Sequence, residues 1–271
     1  MTIEKYFSKD NKAISNSRVS DYLKSKEYYY FKHVKGTLTE EPSPSMQLGS
    51  MIDLAFSAGS LDVLRENYAV KCLKKDDPAR FELQKGIPKE NLVTEATWSK
   101  AIGMSEAILR EPFFAWYAGK KSETQTPLFG KIVDGDLSVD ICGLPDRVTE
   151  DGDTIYIDDL KTSAPGSMRS AKSWFYHCQD FGYFRQLAVY SYLKKRLKPN
   201  KKIVCRHIVV SSQLEGRYQV QLYVIPESLL IPAFYEFGTT ALDIARETEW
   251  KDEPITWSSA VTLEVPEITK Q

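Results

Sequence analysis

Asp159 and Lys161 stand two apart in the run Thr154-Ile155-Tyr156-Ile157-Asp158-Asp159-Leu160-Lys161-Thr162-Ser163. Side chains of a strand alternate between its faces, so a strand here would turn that carboxylate and that ammonium to the same side. Upstream, Gly143-Leu144-Pro145-Asp146-Arg147-Val148 precedes the acidic turn Asp151-Gly152-Asp153, and the two β-prone runs read as a hairpin. Antiparallel pairing would then carry Asp146 toward Asp159. Two converging carboxylates beside a lysine suit a hard divalent cation and an attacking water, because oxygen donors hold Mg²⁺ and an ammonium stabilises developing negative charge. The chemistry implied is hydrolysis of a phosphodiester. The same residue types also make an ordinary cross-strand ion pair on a solvated hairpin, so spacing alone leaves both uses open.

With their neighbours, these residues resemble the PD-(D/E)XK nuclease superfamily: Asp146 and then Asp159-Leu160-Lys161 are similar to its D…(D/E)-x-K signature. Gly143 to Val148 is similar to the G-x-x-D-R-[IV] segment of RecB-like nucleases, and Ile157 to Thr162 to their I-x-D-[YLF]-K-T. Gly182-Tyr183-Phe184-Arg185-Gln186-Leu187-Ala188-Val189-Tyr190 resembles their G-Y-x-x-Q-x-x-x-Y helix, in the form seen in RecE-type exonuclease VIII. The resemblance implies an α/β fold, a restriction-endonuclease-like core with a central mixed β-sheet flanked by helices and a helical N-terminal elaboration. It also implies a metal-dependent exonuclease that hydrolyses duplex DNA ends 5′→3′ in phage or prophage recombination or in repair. Such enzymes form rings around DNA and work with a single-strand annealing protein. By the same resemblance, Asp146 and Asp159 bind Mg²⁺ or Mn²⁺, Lys161 orients water and stabilises charge, and Gln186 and Tyr190 position substrate or Lys161. An endonuclease of the same fold would share every motif, and a DNA-binding module with a decayed site is the non-enzyme alternative.

Two further positions follow from the resemblance. Met46 to Ala58 has apolar Leu48, Ile52, Ala55 and Phe56 at helical spacing, with Gly49 and Asp53 four apart on a neighbouring face. This is similar to the family's G-x-x-x-H helix, where a histidine binds the metal, but Asp53 stands where histidine is expected. The chain's three histidines, His33, His177 and His207, do not have that spacing. A carboxylate there would favour Mg²⁺ or Mn²⁺ over softer ions. The family also carries a glutamate about one strand before the motif aspartate, and Glu123 is the best match; an exposed strand glutamate is an equal reading. Gln186 and Tyr190, one helical turn apart, share a face, and a buried hydrogen-bonded pair without a DNA role is their other reading.

These residues need elements to position them. Residues 1–120 read as a mainly helical lobe, 121–225 as the catalytic α/β core and 226–271 as a C-terminal helix and tail, together a single nuclease domain. Ser17 or Ser20 offers an N-cap for a helix running through Tyr28-Tyr29-Tyr30-Phe31, whose rings could stack on bases or pack the helix onto the core. Pro42-Ser43-Pro44-Ser45 reads as a linker, Leu61 to Asn67, Glu95 to Arg110 and Phe113 to Trp116 as helices, and Lys74 to Glu90 as a loop. Ser122 to Phe129 and Lys131 to Ile141 read as strands. After the hairpin come helical stretches at Ser173 to Tyr176 and Asp180 to Arg196, strands Ile203 to Ser211 and Tyr218 to Ile225 around a turn at Glu215-Gly216, a helix from Pro226 to Glu247, and an irregular tail beyond Trp250.

At 271 residues and 42% hydrophobic, the chain can bury a sizeable core. Its 36 basic and 37 acidic residues leave a net charge of −1, which excludes a surface that attracts nucleic acid all over. The densest basic run, Lys194 to Lys202, either complements a helix C-terminus that Pro199 stops or contacts backbone phosphates. The opening residues lack a signal-peptide pattern and no apolar run approaches a membrane span, so a cytoplasmic protein is expected. Cys72, Cys142, Cys178 and Cys205 show no C-x-x-C spacing. No zinc site, disulfide framework or iron–sulfur cluster is therefore expected. Ser25-Lys26 also stands where many RecB-like chains have the Cys-Pro of a cluster. The chain has no G-x-x-x-x-G-K-[ST], G-x-G-x-x-G or G-x-S-x-G segment.

Overall fold

Helices fill the first half of the chain. In a computed structural model that describes residues 2–8, 10–73, 77–211, 217–247 and 250, they are α1 (Ile3–Phe7), α2 (Asn16–Lys24), α3 (Lys26–Tyr29), α4 (Pro44–Ala58) and α5 (Asp62–Asn67). A two-residue strand β1 (Ala69–Val70), then α6 (Pro78–Leu83), β2 (Leu92–Val93), α7 (Glu95–Leu109) and α8 (Pro112–Ala115) complete this half. The rest alternates: β3 (Lys121–Thr124), β4 (Leu128–Asp134), β5 (Leu137–Gly143), β6 (Arg147–Asp151), β7 (Thr154–Ser163), α9 (Ala171–Phe181), α10 (Tyr183–Leu197), β8 (Lys202–Ser211), β9 (Val220–Ile225) and α11 (Glu227–Arg246).

The boundaries correct several sequence expectations. Ser15, not Ser17 or Ser20, caps α2, its side chain accepting from the Arg18 amide. The expected single helix through Tyr28–Phe31 breaks at Ser25, whose extended backbone ends α2 while its hydroxyl accepts from the Tyr28 amide to start α3. A π-helical turn, Tyr30–Val34, follows. Ser43 and Pro44 of the expected linker are the cap and first residue of α4. The expected loop holds α6, capped by Asp77. Lys74, the Glu215-Gly216 turn and the tail beyond Trp250 lie outside the described residues.

The central sheet is mixed, in the order β3-β6-β7-β8-β9. β6 and β7 pair antiparallel with Arg147 opposite Asp158. β7 and β8 run parallel from Thr154 opposite Lys202 to Ser163 opposite Ser211, joined by a crossover through α9 and α10. β4 and β5 form a separate two-stranded ribbon. The expected strand Ser122–Phe129 is broken at Gln125, and Lys131–Ile141 folds back at Asp134-Gly135-Asp136, with Gly135 at φ 58°. A left-handed Gly in a two-residue loop is the hairpin geometry that twisted strands favour.

The sheet is covered on both faces. Ile155 and Ile157 of β7 pack with Leu187 and Tyr190 of α10 and with Leu230 and Ala233 of α11. From the other face Leu160, Ile208 and Val210 meet Ile52 and Phe56 of α4 and Met104 and Ile108 of α7. Each such side chain contributes about 1.5–3 kcal/mol by burial. Strand alternation thus sends Asp159 and Lys161 to the α10 side and Asp158 to the opposite side. There Asp158 accepts from Arg206 at 2.6 and 2.8 Å and from Tyr117 Oη at 2.8 Å. All four cysteines are free thiols. Among the described residues, no helix is long and apolar enough to cross a membrane.

Candidate active site

The β6–β7 register decides where Asp146 goes. It lies one residue before the Arg147–Asp158 pair, and its Oδ2 accepts from the Leu160 amide at 2.6 Å. That bond fixes it beside Asp159. On β7, Lys161 Nζ lies 2.5 Å from Asp159 Oδ2 and donates to Gln186 Oε1 at 3.0 Å. The chain of contacts continues through α10: Gln186 Nε2 donates to Tyr190 Oη at 2.7 Å, and Tyr190 Oη donates to the Leu144 carbonyl at 2.9 Å. Leu144 lies two residues before Asp146, so the chain leads from the lysine back to the loop that carries the other carboxylate. The Tyr183 ring lies 4.7 Å from Lys161 Nζ, a cation–π contact.

Asp53 enters from α4. Its Oδ2 accepts from Gln125 Nε2 at 2.7 Å, and the same amide reaches Asp146 Oδ1 at 3.3 Å. Gln125 is the only non-glycine with positive φ, 50°, among the described residues, and its own amide donates to the Asp146 carbonyl at 3.2 Å. A left-handed backbone at an ordinary residue costs about 1–2 kcal/mol, which the double carboxylate contact offsets. The sequence does not single out Gln125. Its signal is Thr126-Pro127, since proline lacks the amide a ladder needs and ends strands.

Arg147 is the second residue whose role the sequence reading lacks. Its Nη2 donates to the Phe56 carbonyl at 2.8 Å and reaches the Ser57 carbonyl at 3.4 Å. The guanidinium also lies 4.9 Å from the Phe56 ring and 4.5 Å from the Tyr117 ring. The residue after Asp146 therefore grips the last turn of the helix that carries Asp53.

Glu123 does not stand where it was expected. Paired opposite Val148 two residues before the bend, its carboxylate lies 3.6 Å from Lys194 Nζ, while Gln125 occupies the place beside Asp53 and Asp146. Part of the basic run at the end of α10 is engaged within the fold. Lys194 is buried beside Glu123, Lys195 donates to the Lys201 carbonyl, and Lys201 pairs with Glu150.

Buried Asp159 and half-buried Asp53 and Asp146, gathered beside one ammonium, raise one another's proton affinity. Burial first, then Asp159, pushes the Asp53 carboxyl up to about 6. Burial and then its neighbours Asp159 and Asp53 hold Asp146 well above the usual carboxylate range. Asp159 is raised by burial, which outweighs Lys161. For Lys161 burial alone would lower the value, but Asp159 and Asp146 outweigh it and keep the ammonium charged. His207 Nε2 lies 3.8 Å from Asp159 Oδ2, and burial holds its imidazole well below the usual range, so it stays neutral.

No three of the His, Cys, Asp and Glu side chains among the described residues are grouped as they stand so as to hold a metal ion. Gln125 and the Leu160 amide donate to Asp53 and Asp146, and Lys161 pairs with Asp159. Even so, Asp53 Oδ1 and Asp159 Oδ1 are buried without a hydrogen-bond partner. Orphaned, hard, anionic oxygens in a site with excess negative charge fit Mg²⁺ or Mn²⁺ and fit a soft ion poorly.

The sequence profile of the PD-(D/E)XK nuclease superfamily matches residues 13–225. No curated protein matches the chain. Among solved structures, a Eubacterium rectale protein provisionally named an exonuclease superposes with a TM-score of 0.61 at 19% identity, over 91% of this chain and 84% of its own. Weaker superpositions are found with SSO0001, at TM-score 0.31 and 11% identity over 83% of this chain and 86% of that one. LHK-Exo in complex with dAMP gives 0.29 and 12% over 76% and 93%.

Proposed function

Because the chain belongs to the PD-(D/E)XK nuclease superfamily, we propose that it is a Mg²⁺- or Mn²⁺-dependent deoxyribonuclease that hydrolyses duplex DNA from its ends, as RecE-type exonucleases do. The observation that carries this reading is the joint placement of Asp53, Asp146 and Asp159 around a Lys161 that Gln186 and Tyr190 hold in position. The three aspartates would hold the metal. When bound, the ion supplies a Lewis acid for the phosphoryl oxygen and a more acidic water.

The protein's own part follows from the contacts. Lys161 remains an ammonium, so at neutral pH it serves as a hydrogen-bond donor and point charge rather than as a base, aligning the attacking water and stabilising the charge that builds on phosphorus-bound oxygens. Gln186 accepts one of its protons and thereby fixes which remain for substrate. Tyr190 anchors Gln186 to the Leu144 carbonyl, so ammonium and carboxylates keep one spacing. The 5′→3′ polarity, the ring assembly and the annealing partner implied by the resemblance belong to the same proposal. Light scattering of the protein with and without a tailed duplex tests the ring.

The direct test is digestion of 5′- and 3′-labelled linear duplex beside a covalently closed circle, with Mg²⁺ and with Mn²⁺. Release of mononucleotides or short fragments from linear ends, with the circle intact, is expected. Nicking of the circle would make it an endonuclease. Failure to cleave either substrate with either ion would leave only the DNA-binding alternative.

A further inference from the structure

Beyond Lys161 the site opens into a cleft of about 320 Å³ between the start of α2 and the corner where α9 meets α10. That corner turns on Gly182 at φ 66°, a left-handed value that glycine adopts without strain. The turn sets Phe181 and Tyr183 side by side, ring centroids 5.7 Å apart and planes 30° from parallel. Both rings line the cleft, with Gln186 and Tyr190 at its inner end. Phe181 is 57% exposed. It is nevertheless not loose, for the His177 ring supports it at 4.5 Å. At the edge of the cleft Asn16 Nδ2, from the first turn of α2, donates to the Gly182 carbonyl at 3.3 Å and ties the corner to α2.

We propose that Phe181 and Tyr183 form a subsite for one nucleobase of the DNA strand being cleaved, which stacks on the aromatic pair while the Asn16–Gly182 bond holds the corner that carries both rings. This rests on the nuclease reading above and deepens it. The placement fits a strand, because Tyr183 touches both the cleft and the lysine that would face the phosphate, so base and phosphate of neighbouring nucleotides are served together. Every base has a flat face to stack, so the subsite should accept any base, and a base lying on these rings has left the duplex stack and is unpaired. The subsite thereby assigns Phe181 to holding a frayed end next to the reacting phosphate.

The test uses the full chain in EDTA, so that nothing is hydrolysed, with a DNA oligonucleotide carrying 2-aminopurine at its terminal unpaired nucleotide. Stacking should quench its fluorescence saturably. Phe181→Ala should weaken binding at least about fivefold, the lower end for loss of one base–aromatic stack, and Phe181→Trp should retain it. An abasic residue at that position should weaken binding to the parent by a similar factor and should remove the difference between parent and Phe181→Ala. The abasic arm needs no protein variant, so a folding defect cannot imitate it. Equal affinity of the parent for abasic and normal ends would overturn the subsite, as would a Phe181→Ala loss that persists on abasic DNA. If free 2-aminopurine riboside binds as well as the oligonucleotide, the assignment to a strand fails. Mg²⁺- and Mn²⁺-dependent cleavage of an unmodified duplex is measured alongside. Cleavage without base dependence removes the subsite alone, and base dependence without cleavage removes the nuclease reading alone.

Discussion

Tyr190 lies so close to Gly143 that a Cβ at residue 143 would meet two of its ring carbons at 2.6 Å. The glycine that opens the Asp146 loop is therefore what allows the tyrosine ring to lie beneath that loop and its hydroxyl to reach the Leu144 carbonyl. Gly143→Ala should destabilise the fold by about 1–3 kcal/mol through overpacking and should lower turnover by displacing Gln186. Urea unfolding of Gly143→Ala, Tyr190→Ala and the double variant checks this. The glycine substitution should cost less once the ring is gone, and additive losses would contradict the contact.

Lys161→Ala should lower cleavage by about 10²–10³-fold, the usual effect of removing one preorganised donor, while Mn²⁺ binding persists because the ligand atoms belong to the aspartates. Calorimetric titration with Mn²⁺ beside a cleavage assay separates the two. Lost Mn²⁺ affinity, or digestion at the parent rate, would remove the lysine from its role.

Asp53 makes metal binding pH-dependent in a stated direction. Its carboxyl is raised from 3.8 to about 6 in the metal-free fold, so the folded chain holds that proton more tightly than the unfolded chain does. The resulting stability is fully present below about pH 4 and is lost as pH rises through about 6. Metal ligation needs the ionised form, so Mn²⁺ affinity should fall as pH drops below about 6. The rise in melting temperature on adding Mn²⁺ should therefore grow between pH 5 and 7.5, and a constant rise would contradict the assignment. Asp53→Ala should shrink that growth and lose most activity, whereas Asp53→His should retain some by restoring a ligand.

Gln125 should matter most without metal. Its amide is the donor between Asp53 and Asp146. Gln125→Ala should lower stability in EDTA by about 1–3 kcal/mol, as unsatisfied buried acceptors do, and the deficit should narrow in Mn²⁺. Denaturation in the two buffers gives the comparison. An equal deficit in both would mean that the side chain only supports the bend.

The part of the candidate site around Lys161 was legible because its spacings are local. Alternation along a strand placed Asp159 with Lys161, a hairpin placed Asp146, and one helical turn placed Gln186 with Tyr190. The superfamily and its mixed sheet followed from the same segments. What was not legible depends on places where the chain departs from regular geometry. The bend at Gln125 removed Glu123 from the cluster and supplied an amide instead, and a strand read through Thr126-Pro127 hides that bend. The Asp134-Gly135 turn was a visible hairpin signal, but the apolar run around it masked it. Arg147 looks like part of a motif in the sequence, and only the fold shows that it holds the end of α4 across a large sequence separation.

That grip by Arg147 has a consequence for the order in which the protein folds. The hairpin and α10 are separated only by the α9 crossover, whereas α4 must be brought to them by closing a longer loop, which is entropically unfavourable and slow. The lysine and two carboxylates should then assemble first and Asp53 should arrive later, with the arginine as its latch. Pulse-labelled hydrogen exchange during refolding should show amides of β6 and β7 protected before those of α4. A chain caught between the two events would carry most of the site's charges but not all of its oxygen donors, so hydrolytic capacity should switch on only with the final docking of the helical lobe.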